Sequence, residues 1–214
     1  MDVAFWVVFF SAALALNLSP GPDLLFILSR TLGGGRRIGI AAACGVCSGA
    51  LVHVLAAALG LSALLATSAL AFSIVKYVGA VYLIWLGVQA LRNAGAGLQV
   101  TVQSGPPLTA WQAYRQGVLV DLLNPKVAIF FMAFLPQFVR PELGSLALQL
   151  LGLGTLVVLV AIIVECSAVL LAAHASRALA AAHGQRRGRG GHRHDRARRG
   201  QRPESHPHHG AARW

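Results

Sequence analysis

Apolar residues dominate the chain from residue 3 to residue 173 and form five long runs separated by short polar stretches. A helix needs about 20 predominantly apolar residues to cross a bilayer core, and each run reaches that length. The predicted spanning helices are residues 3–28, 38–65, 72–91, 117–139 and 146–173. Helices are expected because no barrel-like alternation occurs and lipid offers no partners to unpaired backbone groups. The sequence therefore predicts an all-α integral membrane protein with a transmembrane domain over residues 1–173.

Composition and charge agree with a membrane domain and set apart the end of the chain. Hydrophobic residues make up 56% of the 214 residues and charged residues only 12%, where a soluble domain has about a quarter charged. Of the net charge of +11, residues 1–173 carry +3, and residues 174–214, with ten arginines and two acids, carry +8. No Val, Ile, Leu, Met, Phe or Tyr occurs after Leu179. This Arg/Gly/His-rich tail, residues 174–214, cannot form a sixth spanning helix and is predicted to be disordered.

Basic residues in the short loops orient the predicted bundle, because Lys and Arg accumulate on the cytoplasmic side. The first and third loops carry Arg30, Arg36, Arg37, Arg92 and Arg115. The second loop has no basic residue before Lys76, and in the fourth Arg140 lies beside Glu142. We therefore expect the N-terminus outside and the tail in the cytoplasm. The third loop, 93–114, contains the turn-forming run Ser104–Pro107.

Two of the predicted helices are interrupted by prolines beside polar residues, at Asn17–Asp23 (NLSPGPD) and at Asp121–Lys126 (DLLNPK). Each proline removes a backbone donor and clashes with the preceding turn, so the freed carbonyls need partners at membrane depth. Such breaks occur where backbone lines a cavity, although two ordinary proline kinks would give the same pattern. The predicted substrate-binding residues are Asn17, Pro20, Pro22, Asp23, Asn124, Pro125 and Lys126.

The two breaks coincide when the sequence is shifted by 103 residues, which places Pro22 on Pro125 and Asp23 on Lys126. The same shift lays the second predicted helix on residues 141–168, close to the fifth. Halves with an odd number of helices run in opposite directions. The register therefore predicts a helical bundle with an inverted 3+3 repeat, in which paired broken helices form a midplane site. Five spans are recognisable, and the basic tail replaces the sixth.

Four charged residues lie within the apolar stretches, where facing lipid would cost each a few kcal/mol. Asp23 and Lys126 could form an ion pair across the breaks, or could bind the ammonium and the carboxylate of a zwitterion. Asp121 and Glu165 are predicted to carry protons. For Asp121 the alternative is a hydrated position near the cytoplasmic end of its helix.

Three further features suggest other chemistry. Cys44 and Cys47 form a C-x-x-C pattern, which favours packing here because it overlaps the small-residue motif Gly45-x-x-x-Gly49. The alternative function is a membrane thiol-disulfide carrier. If exposed, the glycine motif would also allow a homodimer. His53 is a weak candidate for a proton relay. No nucleophile context or phosphate-binding loop occurs, so we expect neither an enzyme nor a cofactor nor a resident metal.

Several of these segments resemble the lysine-exporter (LysE/RhtB) family. They are Asn17–Asp23, the glycine-rich Gly33–Gly39, the run Lys76–Gly87 (KYVGAVYLIWLG) and Asn124–Lys126. The resemblance covers about residues 3 to 180. It implies an inner-membrane exporter of amino acids or their derivatives that is driven by the proton gradient and has a sixth helix.

The tail departs from that family and admits three interpretations. A frameshift in a GC-rich gene would replace the sixth helix by Arg, Gly, His, Pro and Ala codons. A genuine basic tail could bind anionic lipid headgroups, at about 1 kcal/mol per Arg. The third interpretation is metal binding by a His-rich tract, in a metal-ion exporter; its histidines are His192, His194, His206, His208 and His209. Nucleic-acid binding is not expected, because Trp214 is the only aromatic residue of the tail.

Overall fold

The computed structural model describes residues 2–92 and 108–199, and for residues 90 and 179–199 it describes the backbone alone. Over these ranges the chain is helical and forms no strand, so the all-α prediction is confirmed. The helices are α1 (Val3–Leu18), α2 (Pro22–Thr67), α3 (Ala69–Arg92), α4 (Ala110–Leu122), α5 (Pro125–Phe134) and α6 (Leu146–Arg199). Two 3-10 turns, Leu135–Gln137 and Pro141–Leu143, lie between α5 and α6.

Three of the described helices are long and apolar enough to cross a membrane: Pro22–Thr67, Ala69–Gln89 and Leu146–Ala178. A fourth span exists if Ala110–Leu122 and Pro125–Gln137, which are bent by 57°, cross together. With 16 residues, α1 is too short to cross alone. The residues predicted as the first span, 3–28, are divided between α1 and the beginning of α2. The inverted repeat remains a prediction.

The connection predicted between the first and second helices is shorter in the structure, where a kink inside α2 takes its place. Only Gly35 leaves the helical conformation, with φ 77° and ψ −179°. Glycine adopts positive φ without a Cβ penalty, so a single residue suffices to kink the chain. Arg36 and Arg37 belong to helix on the far side of this kink.

The helix predicted at 117–139 also has different bounds. It begins at Ala110, where Thr109 and Gln112 form a capping box that satisfies free N–H groups of the first turn. The turn predicted at Ser104–Pro107 lies outside the described residues. At the other end, the chain breaks after Leu122 and resumes at Pro125.

Small residues bring α2 and α4 into close contact. A Cβ at Gly45 would overlap the carbonyl oxygen of Tyr114 and lie 3.1 Å from the Cα of Gly117. One at Gly49 would lie 2.7 Å from the Cβ of Asp121. The motif Gly45-x-x-x-Gly49 is therefore used within the chain, and the idea that it is exposed for a dimer contact is wrong. A homodimer through another surface stays a prediction.

Aromatic side chains join α1 to α5 in the core. Phe9 of α1 lies 5.3 Å from Phe134 and 5.2 Å from Phe138 between ring centroids. Phe130 stacks on Phe134 at 4.6 Å. All four rings are buried, and they hold the two helices that carry the breaks against each other.

The chain divides into two compact units, Met1–Ala173 and His174–Trp214. In the second unit the backbone is helical to Arg199, although the composition predicts disorder from residue 174. Ala and Arg have high helix propensity, which favours a helix there even in a segment unable to bury a core. Residues 200–214 lie outside the described part. So do the side chains of His192 and His194, so the metal-binding interpretation stays a prediction.

Candidate functional site

The two predicted breaks in the helices are present. The first lies between Leu18, where α1 ends, and Pro22, where α2 begins; the second lies between Leu122 and Pro125. At the first break, the N–H of Ser19 donates to the carbonyls of Ala15 and Leu16 and closes the last turn of α1. The prolines contribute through the backbone: Pro20, Pro22 and Pro125 are exposed and do not line the cavity described below.

Lys126 connects the two breaks. Its Nζ donates to the carbonyl oxygen of Ser19 at 2.8 Å and to that of Leu16 at 3.3 Å. These carbonyls lie at the C-terminal end of α1, where that of Leu16 also accepts from the N–H of Ser19 and that of Ser19 lies beyond the last helical residue. The Oδ1 of Asn124 accepts from the backbone N of Lys126 at 3.1 Å and caps α5. The lysine of the second break thus satisfies the backbone of the first.

Asp23 stands in the first turn of α2, where the helix dipole favours a carboxylate. It is close enough to Lys126 to interact with it electrostatically, but the two charged groups make no direct ion pair. Instead the Oδ1 of Asp23 is buried and makes no hydrogen bond. A buried oxygen of this kind is costly to leave unpaired, so Asp23 has capacity for a further donor.

Asn17, Asp23, Asp121 and Glu165 line one small cavity between α1, α2, α4, α5 and α6. Its volume is about 20 Å³, enough for one water-sized molecule. Asp121 is 1% exposed and Glu165 4% exposed. The hydrated position considered for Asp121 therefore does not match the structure. The remaining wall is apolar and includes Leu16 and Phe131.

The buried carboxylates each have one neighbour outside the predicted set. His53 places Nε2 3.0 Å from the backbone oxygen of Asp121 and 3.9 Å from its Oδ2. The Sγ of Cys47 donates to Oε2 of Glu165 at 3.4 Å. The Oδ2 of Asp121 makes no hydrogen bond. The sequence suggested His53 only weakly, and the Cys47 contact could not be read from it.

The structure thus places four of the predicted residues, Asn17, Asp23, Asp121 and Glu165, at one cavity. Asn124 and Lys126 lie at the second break, from which Lys126 reaches the end of α1. Among the described residues, no group of three or more His, Cys, Asp or Glu side chains could hold a metal ion. Cys44, Cys47 and Cys166 are free thiols, with Cys44 exposed.

The structure is thus that of a membrane protein with at least three helices able to span the bilayer, in which charged residues lie at and beside two helix breaks. The sequence profile of the LysE type translocators matches residues 14–190. The chain belongs to this family, and it is a membrane transport protein, not an enzyme.

Individual relatives agree with the family. The chain is 35% identical over 160 residues to a homoserine/homoserine lactone efflux protein of Salmonella typhimurium, covering 74% of this chain and 76% of that protein. It is 37% identical over 141 residues to an uncharacterized membrane protein of Vibrio cholerae, covering 66% and 68% of the two chains. No solved structure matches.

Proposed function

We propose that this chain exports amino acids or small amino-acid derivatives across the inner membrane, in exchange for protons. The observation that carries the proposal is that three carboxylates, Asp23, Asp121 and Glu165, line one cavity, while Lys126 bonds from the second helix break to the first and interacts electrostatically with Asp23. Membership of a translocator family supports the class, and the name of the Salmonella relative, a homoserine/homoserine lactone efflux protein, supports the kind of substrate.

Asp23 and Lys126 bind the two poles of the substrate in this proposal. The Oδ1 of Asp23 is buried without a partner and would accept from an ammonium group. Lys126 would donate to the carboxylate. This arrangement is favoured over a direct Asp23–Lys126 ion pair because the lysine is engaged with two backbone carbonyls instead. Asn17 and Asn124 would complete the polar wall.

Asp121 and Glu165 carry the coupling protons. Both are buried, both line the same cavity as Asp23, and the three carboxyl groups interact electrostatically. Three negative charges in one small apolar enclosure are unfavourable, so binding a proton or an ammonium group relieves the repulsion. Proton and substrate would thus compete for the same negative charge, which is what exchange requires.

Alternating access would proceed by rocking of the two inverted repeats about the breaks. The N-terminus would lie outside and residues 174–214 in the cytoplasm, as the loop arginines indicate. Membrane lipid surrounds the bundle, and a homodimer remains part of the proposal only through surfaces other than the Gly45–Gly49 face.

The test is amino-acid efflux from dipeptide-fed cells that express the full chain. Asp23→Asn and Lys126→Met each remove a charge-assisted contact worth about 1.5–3 kcal/mol, which corresponds to a loss of about tenfold to a hundredfold in efflux rate. Glu142→Gln and Lys76→Met are the matched controls, since Glu142 is exposed in a turn and Lys76 lies on α3 outside both breaks. Unchanged efflux in the two site variants, at equal protein levels, would refute the site.

A thiol-disulfide carrier is distinguished by replacing Cys44 and Cys47 together with serine. An exporter keeps its amino-acid efflux rate after this change, whereas a thiol-disulfide carrier loses its electron transfer between thiols and disulfides. The structure shows both cysteines as free thiols.

A further inference from the structure

A second cavity, which we call the apolar chamber, lies between α1, α3 and α5 and has a volume of about 430 Å³. Its wall includes Val8, Ala12, Leu16, Leu83, Gly87 and Phe134. Ser19 and Gln137 are its polar residues. Both amide hydrogens of Gln137 are already used, because Nε2 donates to the carbonyls of Lys76 at 2.6 Å and Ala133 at 3.1 Å. The chamber therefore suits an apolar occupant.

The apolar chamber and the carboxylate-lined cavity share a wall. Leu16 lines both. Ser19 lines the chamber, and its carbonyl accepts the 2.8 Å hydrogen bond from Lys126 Nζ. Lys126, whose ammonium group would bind a substrate carboxylate, is thus separated from the apolar chamber by a single residue.

The two volumes differ in what they can hold. The polar cavity, at about 20 Å³, admits a water-sized molecule and cannot enclose an amino acid. The apolar chamber has the size typical of small-molecule pockets, about 300–1,000 Å³. A molecule with charged groups at Asp23 and Lys126 and an apolar chain beyond Leu16 would use both spaces.

We propose that the apolar chamber receives the side chain of the substrate, so that this chain selects α-amino acids with apolar side chains of several carbons. The inference rests on the proposed function, because it places the charged end at Asp23 and Lys126. Each methylene moved from cytoplasmic water into the chamber favours binding by about 0.8 kcal/mol, which is about fourfold in affinity. A polar side chain would lose its hydration there and find only Ser19 and the side-chain oxygen of Gln137.

A lipid acyl chain is the rival occupant, because the chamber opens toward the surface where Val8 and Ile84 are more than half exposed. The continuity with Ser19 and Lys126 favours the substrate, since a lipid tail gains nothing from a neighbouring ammonium group. The two occupants predict different responses to side-chain length.

The experiment measures equilibrium binding of linear α-amino acids, from alanine to 2-aminooctanoate, to the full chain in lipid nanodiscs. We expect affinity to rise about fourfold for each methylene until the chamber is filled. Gly87→Leu places a side chain inside the chamber, where a Cβ meets no atom within 4 Å. It should weaken 2-aminooctanoate about tenfold or more, the equivalent of two methylenes, and leave alanine unchanged.

Gly152→Leu is the matched control, since Gly152 is also an open helical glycine with no atom within 4 Å of a Cβ, but on α6 outside the chamber. It should reproduce the unmodified series. A lipid-filled chamber would give an affinity that does not depend on the length of the amino-acid side chain, and this result would overturn the inference. Equal affinities of Gly87→Leu and Gly152→Leu for 2-aminooctanoate would overturn it as well. Efflux is scored separately. If affinity rises with side-chain length but no efflux occurs, the role of the chamber is supported and export is refuted. If efflux occurs but affinity does not change with side-chain length, export is supported and the role of the chamber is refuted.

Discussion

Gly45 and Gly152 allow one substitution to be compared in opposite surroundings. Gly45 is buried where α2 crosses α4, and an added Cβ would lie 2.9 Å from the carbonyl carbon of Tyr114, closer still to its oxygen, and 3.1 Å from the Cα of Gly117. Gly152 is exposed on α6, and an added Cβ there meets no atom within 4 Å. Both are helical. Alanine should therefore change stability in opposite directions at the two positions.

The magnitudes follow from helix propensity and packing. Replacing an interior helical glycine with alanine favours the helix by about 1 kcal/mol, which is the expected gain at Gly152. At Gly45 the same gain is outweighed, because the groups in the way are backbone atoms and cannot rotate aside. The two helices must separate, and a gap of about 0.5–1 Å forfeits a quarter to a half of each dispersion contact. Overpacking of this kind costs about 1–3 kcal/mol, and the rigid backbone places Gly45→Ala at a net loss.

The assay is reversible unfolding of the purified full chain in mixed micelles, titrated with SDS and followed by circular dichroism. We expect the free energy of unfolding to fall for Gly45→Ala and to rise for Gly152→Ala. The comparison controls for the shared effect of alanine on the unfolded state. If Gly45→Ala proved as stable as Gly152→Ala, the close α2–α4 contact derived above would be refuted.

Two other substitutions test the aromatic core and the thiol beside Glu165. Phe134→Ala removes the ring that stacks on Phe130 at 4.6 Å and contacts Phe9. The free energy of unfolding should fall by about 3–5 kcal/mol in the same titration. A fall of less than about 1 kcal/mol would contradict the place of Phe134 in the core. Cys47→Ala removes the donor to Oε2 of Glu165, whereas Cys47→Ser keeps one. We expect efflux to drop severalfold in the alanine variant and to be retained in the serine variant, and equal rates in both would show that the contact has no role.

The positions of the helix breaks were predictable because proline acts locally. Pro22 and Pro125 begin α2 and α5 as the sequence indicates, since each removes a backbone donor wherever the chain folds. The kink at Gly35 was not predictable in the same way. Three consecutive glycines permit several conformations, and the sequence alone does not select the residue that takes positive φ.

The burial of Asp121 and Glu165 was predictable from the cost of placing charged residues in lipid, which is independent of their partners; their role in the candidate site stays a prediction. The contacts of the charged residues were not predictable. Glu165 meets Cys47 across 118 positions of sequence, and Lys126 meets Ser19 across 107. Such pairs depend on how α1, α2, α5 and α6 pack, and helical periodicity does not report that packing. The small-residue motif at Gly45 and Gly49 shows the same limit, because the pattern indicates close helix contact without naming the partner helix.

The contact between Lys126 and α1 gives the proposed exporter a physical link between binding and movement. In the structure, Lys126 Nζ supplies the donor for the carbonyls of Leu16 and Ser19. A substrate carboxylate that takes this ammonium group competes with those carbonyls. The carbonyl of Leu16 keeps the N–H of Ser19 as a donor, whereas the carbonyl of Ser19 loses its bond to Lys126, and a carbonyl left unpaired away from water costs about 1–3 kcal/mol. The end of α1 must then rearrange or hydrate, so the substrate has different affinities for the two arrangements of the break. A ligand shifts a conformational equilibrium only by such a difference, and here one lysine supplies it.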